Sequence, residues 1–171
     1  VGCGWGGFTE IAASKHGCKV HGLTLSKQQL NFAKKRFRSS NIDDIATVSF
    51  TDYRDSVGFF DKIISIEMFE AVGEENWNAY FQTIYDRLKP AGIAVLQVIT
   101  IDNERFKAYR KSADFIQRYI FPGGFLPSPQ ALEEAITRNG LRLECSRFFG
   151  SSYARTCSIW KKQFQLAWEE I

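Results

Sequence analysis

Near its start the chain reads Gly2-Cys3-Gly4-Trp5-Gly6-Gly7, which satisfies both G-x-G-x-x-G and G-x-G-x-G spacing. Glycines spaced this way let a backbone approach a ligand closely, and a loop feeding a helix N-terminus offers unpaired N–H groups. The same pattern also serves as a tight strand–helix turn that binds nothing. A nicotinamide cofactor calls for a carboxylate on its ribose about 20 residues further on. His21-Gly22-Leu23-Thr24 stand there, which counts against that ligand. Asp52-Tyr53, after a third expected strand, suits another nucleoside: a carboxylate can accept an adenine amino hydrogen and an aromatic ring can stack on the base. Taken alone, the pair reads equally as a loop aspartate in a turn beside a half-buried tyrosine.

These residues need elements to aim them. Phe8, Ile11 and Ala12 lie at helical spacing up to a stop at Gly17, and residues 18–23 form a short strand. Ser26 is placed to cap a helix with Leu30, Ala33 and Phe37 inward and Lys34, Lys35, Arg36 and Arg38 outward. Strands follow at 46–50 and 60–66. Trp77, Tyr80, Phe81, Ile84 and Leu88 make a helical stripe closed by Pro90. Residues 92–99 are apolar enough for a strand buried on both faces. Such alternation predicts an α/β fold: a mostly parallel sheet with helices on both faces and right-handed crossovers. Residues 101–128 break the rhythm with six aromatics, Phe106, Tyr109, Phe115, Tyr119, Phe121 and Phe125. Ligands of open α/β sheets sit at the carboxyl ends of the strands, where such an insertion would act as a lid or channel wall. A helix at about 129–138 and a strand at 141–149 complete the reading. Tyr153, Trp160, Phe164 and Trp168 are spaced as a further helix stripe.

The 171 residues suit a single domain, and 25 aromatics exclude a disordered chain. No long uncharged apolar run predicts a spanning helix. The net charge is only +3, but residues 11–42 hold seven Lys or Arg and no acid, whereas residues 43–89 hold ten acids and four bases. The basic helix is a solvated face or a contact for anionic lipid headgroups. Four cysteines without metal or CxxC spacing favour free thiols in a reducing compartment, and no metal site is expected. A glycine loop needs a strand to aim it, and only Val1 precedes the glycines. The chain also stops at 167–171 in or just past a helix, so the domain is expected to be truncated at both ends.

Four segments in order, VGCGWGGF (1–8), GLTLSKQQ (22–29), IEMFEAVG (66–73) and YIFPGGFLPS (119–128), closely resemble the cyclopropane fatty acid synthases. That family of S-adenosylmethionine-dependent methyltransferases includes the mycolic acid cyclopropane synthases, and the resemblance runs over the whole chain. It implies a class I methyltransferase (Rossmann-like) fold and methyl transfer to the double bond of an unsaturated acyl chain in a membrane phospholipid. Gly2, Gly4 and Gly6 would face the methionine part of the cofactor, and Thr24, Leu25 and Gln29 would lie beside its ribose. Asp52 and Tyr53 would take the adenine, and Met68 would line the sulfonium. The family's bicarbonate, its implied base, would be held by Glu70, the backbone amide of Ile99 and Tyr153. Gln97 stands where the family has a histidine and can carry neither its proton nor its charge.

The resemblance also implies a cytoplasmic protein peripheral to the inner face of the membrane, a homodimer in its full-length form, and no nucleic-acid partner. Glu67-Met68-Phe69-Glu70 stands where a nucleic-acid methylase would have an Asn-Pro-Pro-Tyr-type motif. Two alternatives stay open. One is a relative yielding a methyl- or methylene-branched chain or acting on another small molecule; the other is a cofactor-binding module without turnover.

Overall fold

The computed structural model describes residues 1–170. The glycine loop runs into α1 (Gly7–His16), which ends where Gly17 turns left-handed at φ 62° and its N–H meets the carbonyls of Ala12 and Ala13. Strand β1 (Val20–Thr24) follows, then α2 (Lys27–Ser39), where Ser26 Oγ accepts the Gln29 N–H at 3.2 Å as the sequence predicts. Ala33 and Phe37 are buried while Lys34, Lys35 and Arg38 face solvent. Strand β2 (Ala46–Phe50) then pairs parallel to β1, with Val20 opposite Ala46. Ala13, Ala33, Phe37, Ile42, Ala46 and Val48 form the core of this half.

The other half repeats the unit. Strand β3 (Phe60–Ile66), α3 (Trp77–Arg87) and β4 (Leu88–Gln97) form a second parallel pair, with Ile66 opposite Gln97. Phe69, Tyr80 and Phe81 are fully buried here with Trp77 and Ile84. Each such side chain contributes about 1.5–3 kcal/mol through lost contact with water. Val1–Cys3 joins the two pairs. The Val1 amino nitrogen donates to Ile64 O at 2.6 Å, and Cys3 N donates to Leu23 O at 2.8 Å. The spatial order is therefore β2, β1, residues 1–3, β3, β4. Crossovers of one hand that run outward from the middle place α2 and α3 on opposite faces. The glycine loop leaves from the point where strand order reverses, which is where doubly wound sheets bind ligands.

Three expectations need correction. Strand β4 is not buried on both faces: Ala94 and Leu96 pack on the core, whereas Ile93 and Val95 are each 52% exposed. Residues 141–149 form no strand, because among the described residues no neighbour pairs with their backbone. The aromatic stripe does form a helix, α6 (Gly150–Leu166), but Trp160 and Phe164 face solvent and do not build a core. The second half is completed by α4 (Asn103–Tyr109) and α5 (Pro129–Arg138), the latter capped by Ser128 within the expected range.

Ala91, in the first turn of β4, sits at φ 61°, a conformation that an L-residue with a Cβ pays for. Ala91→Gly should therefore raise stability by about 0.5–1 kcal/mol, the strain relieved less the extra chain entropy of glycine. A urea denaturation curve checks the sign.

Candidate active site

Three glycines of the loop have three different reasons to be glycine. A Cβ on Gly6 would fall 2.8 Å from the Phe37 ring and 3.1 Å from the Ala33 Cβ, so this position lets α2 pack against the loop. A Cβ on Gly2 would fall 2.9 Å from Met68 Cγ, which puts Met68 directly against the loop. Gly4 is the one that opens outward. Its φ is +54° and a Cβ there would meet no atom within 4 Å, so backbone is presented to open space at the switch point.

The second group lies at the ends of β1 and β2. Thr24 is buried, and its hydroxyl donates to Gln29 Oε1 at 2.8 Å while accepting from Ser26 N at 3.1 Å. That hydroxyl is spent on orienting Gln29 through its Oε1. Leu25 is 64% exposed beside it. Asp52 caps a short 3-10 turn, Tyr53–Asp55, and both of its carboxylate oxygens are engaged by Arg54 at 2.7–2.9 Å. These hydrogen bonds hold its carboxyl below the usual carboxylate range. Tyr53 packs edge-on to Tyr80 at 5.4 Å, and burial pushes its phenol up. Oδ1 already accepts two of these bonds, whereas Oδ2 accepts one and keeps a lone pair for a further donor.

The third group lies at the ends of β3 and β4. Glu70 Oε1 accepts the Ile99 N–H at 2.6 Å, and Glu70 Oε2 is buried with no partner. Gln97 Nε2 donates to Glu67 Oε1 at 2.8 Å, and Glu67 N donates to Gln97 O at 2.9 Å. Tyr153, near the start of α6, lies in the field of the same acids: loss of solvent, then the charges of Glu67, Cys157 and Glu70 and a hydrogen bond with Glu67, raise its phenol. Glu70, Gln97, Ile99 and Tyr153 thus come together, as sequence reasoning expected. Glu67 is the residue it missed. The available signal was a second acid three residues before Glu70, at the strand end.

Residues 101–128 fold over this end. Phe125 N donates to Glu70 O at 2.8 Å, and Ile101 N donates to Pro127 O at 2.9 Å. The six aromatics divide evenly. Phe106, Tyr109 and Phe125 pack together beside Trp77, whereas Phe115, Tyr119 and Phe121 are each more than 60% exposed, with Ile116 and Ile120 beside them.

The model for mycolic acid cyclopropane synthetase matches residues 1–171. The chain belongs to the mycolic acid cyclopropane synthetase family. It is 36% identical to the cyclopropane-fatty-acyl-phospholipid synthase of Escherichia coli K12, covering all of this chain and 42% of that protein. It is 35% identical to the tuberculostearic acid methyltransferase UfaA1 of Mycobacterium tuberculosis, over 96% of this chain and 38% of that one. The mycolic acid cyclopropane synthase CmaA1, solved in complex with SAH and CTAB, superposes with a TM-score of 0.87 at 30% identity, covering 97% of this chain and 61% of that one. The chain therefore spans about 40% of the length of these curated relatives, and its fold is that of the class I methyltransferases.

Two ligands implied for this family fare differently here. The open backbone at Gly4, with Met68 against Gly2, suits S-adenosylmethionine. For bicarbonate the donors are partly engaged: the Ile99 N–H is held by Glu70 and one Gln97 amide N–H by Glu67, which leaves the second N–H of that amide. The orphaned Glu70 Oε2 calls for a hydrogen-bond donor, which the O–H of a bicarbonate can supply.

Proposed function

We propose that this chain carries the catalytic domain of an enzyme that transfers a methyl group from S-adenosylmethionine to the double bond of an unsaturated phospholipid acyl chain, forming a cyclopropane. The observation that carries this reading is the bond from Phe125 N to Glu70 O. It ties the aromatic segment, suited to an acyl chain, to the carboxylate site at the strand ends. In this reading the backbone at Gly2, Gly4 and Gly6 runs along the methionine part of the cofactor and Gln29, set by Thr24, reaches the ribose beside Leu25. Asp52 and Tyr53 take the adenine, and Met68 lines the sulfonium. The cofactor supplies an electrophilic methyl group. An alkene attacking it is left cationic, so the pocket must exclude water and offer aromatic faces. Phe115, Tyr119 and Phe121 are placed to supply them.

No helix among the described residues is long and apolar enough to cross a membrane. A phospholipid substrate is then met from the surface, and the basic face of α2 suits anionic headgroups. The test is to express the complete gene in a host without this activity and extract its lipids. Mass spectrometry should show unsaturated chains gaining one methylene unit, and NMR a closed ring. Unchanged lipids would contradict the reading.

The exposed aromatics make a separate expectation. Phe115→Ala with Phe121→Ala should reduce turnover of unsaturated phospholipid vesicles about tenfold or more, since two large apolar contacts are lost. S-adenosylmethionine affinity, read by calorimetry, should stay unchanged. A collapse of cofactor affinity with lipid turnover intact would place the segment elsewhere.

A further inference from the structure

Asp52 is held by the second residue after it. Arg54 N and Arg54 Nε both donate to Asp52 Oδ1 at 2.9 Å, and Arg54 Nη2 donates to Asp52 Oδ2 at 2.7 Å. The backbone bond closes a turn, and the guanidinium fork adds a planar second attachment, so both carboxylate oxygens are fixed. The same guanidinium lies 5.8 Å from the centre of the Tyr53 ring, which meets the buried Tyr80 ring edge-on at 5.4 Å. Carboxylate and ring are thus tied into one unit. The Arg54 side chain is 58% exposed, against 18% for Asp52, and an ion pair this open contributes little to stability. What it supplies is direction. Two donors fill Oδ1, so the remaining lone pair of the carboxylate lies on Oδ2.

We infer that Arg54 sets the purine selectivity of the cofactor site by holding Asp52 in the orientation that receives an exocyclic amino group, resting on the adenine placement proposed above. An ionised carboxylate only accepts hydrogen bonds, so the open Oδ2 position takes an N–H and repels a carbonyl oxygen. A 6-amino purine satisfies it, whereas a 6-oxo purine turns a lone pair toward it. Without the fork the carboxylate is free to rotate away, and water fills the gap between it and the base. The cost of the wrong purine then shrinks. Lysine at this position would keep the charge but not the planar fork, so it cannot fix both oxygens. Arg54 acts through Asp52 and is a positioning residue.

The test measures, by calorimetry on the full-length enzyme, the affinities for S-adenosylhomocysteine and for S-inosylhomocysteine, in which a carbonyl replaces the adenine amino group. Damage to the fold weakens both ligands alike, so the ratio of the two affinities reports how Asp52 is oriented. The wild type should prefer the amino ligand about tenfold or more, the scale of one hydrogen bond to a charged group. Arg54→Ala should shrink that preference to about threefold or less, and Arg54→Lys should leave it nearly as small. With Asp52→Ala lowering the preference, an unchanged ratio in Arg54→Ala, a loss of both ligands together or full restoration by lysine would overturn the inference alone. A wild type without the preference, or a preference that survives Asp52→Ala, would overturn the adenine placement and the inference together.

Discussion

Gly4→Val is expected to abolish S-adenosylmethionine binding in calorimetry while the far-ultraviolet circular dichroism stays native-like. Two effects act at this position. The left-handed backbone at φ +54° disfavours a β-branched residue, and the side chain would fill the open space that the cofactor's methionine part is proposed to occupy. Gly17 separates them. It has φ +62°, likewise with no atom within 4 Å of an added Cβ, and it only ends α1. Gly17→Val should carry a similar strain, about 1–2 kcal/mol, and bind the cofactor normally once folded. If both variants lose binding equally, strain explains the result and Gly4 does not face the cofactor. Unchanged affinity in Gly4→Val would also sink the assignment.

The second large effect concerns Glu70. Its Oε1 receives the Ile99 N–H at 2.6 Å and its carbonyl receives Phe125 N at 2.8 Å, so one residue joins the end of β3, the segment after β4 and the aromatic cover. Glu70→Ala should lower turnover about 100-fold, the scale on which a displacement of about 1 Å misaligns reacting groups. Cofactor affinity should hold within about twofold, because the residue anchors the reacting end and not the nucleoside. Glu70→Gln retains an acceptor for Ile99 N and should recover most of the rate. Failure of glutamine to rescue would show that the charge of Glu70 matters.

Much of this architecture was legible in advance for definite physical reasons. β2 and β3 have the expected bounds because short β-branched runs between polar turns leave little choice of register. Ser26 announced its helix by capping it. What could not be read was whatever depends on neighbours. Ile93 and Val95 look like buried strand residues by composition, yet burial depends on what covers a face, not on the strand itself. Residues 141–149 carry strand propensity, and strand structure needs a partner. At the site, the glycine spacing pointed to a ligand but could not say which glycine serves packing; the contact of Gly6 with Phe37 decides that. Asp52 is the turn aspartate of one of its two sequence readings, and its place at the adenine rests on the proposed function. Glu67 escaped notice because its place in the cluster comes from a backbone angle and a bond to Gln97, 30 residues away.

The most direct measurement follows the transferred carbon. Full-length enzyme is incubated with S-adenosylmethionine carrying a trideuterated methyl group and with vesicles of monounsaturated phospholipid, and the acyl chains are analysed by mass spectrometry and NMR. The account predicts one added carbon per converted chain, bearing two deuteriums within a three-membered ring, with one S-adenosylhomocysteine formed for each. An added carbon that keeps all three deuteriums would contradict ring closure by proton removal, and S-adenosylhomocysteine formation indifferent to unsaturated phospholipid would contradict the proposed function itself.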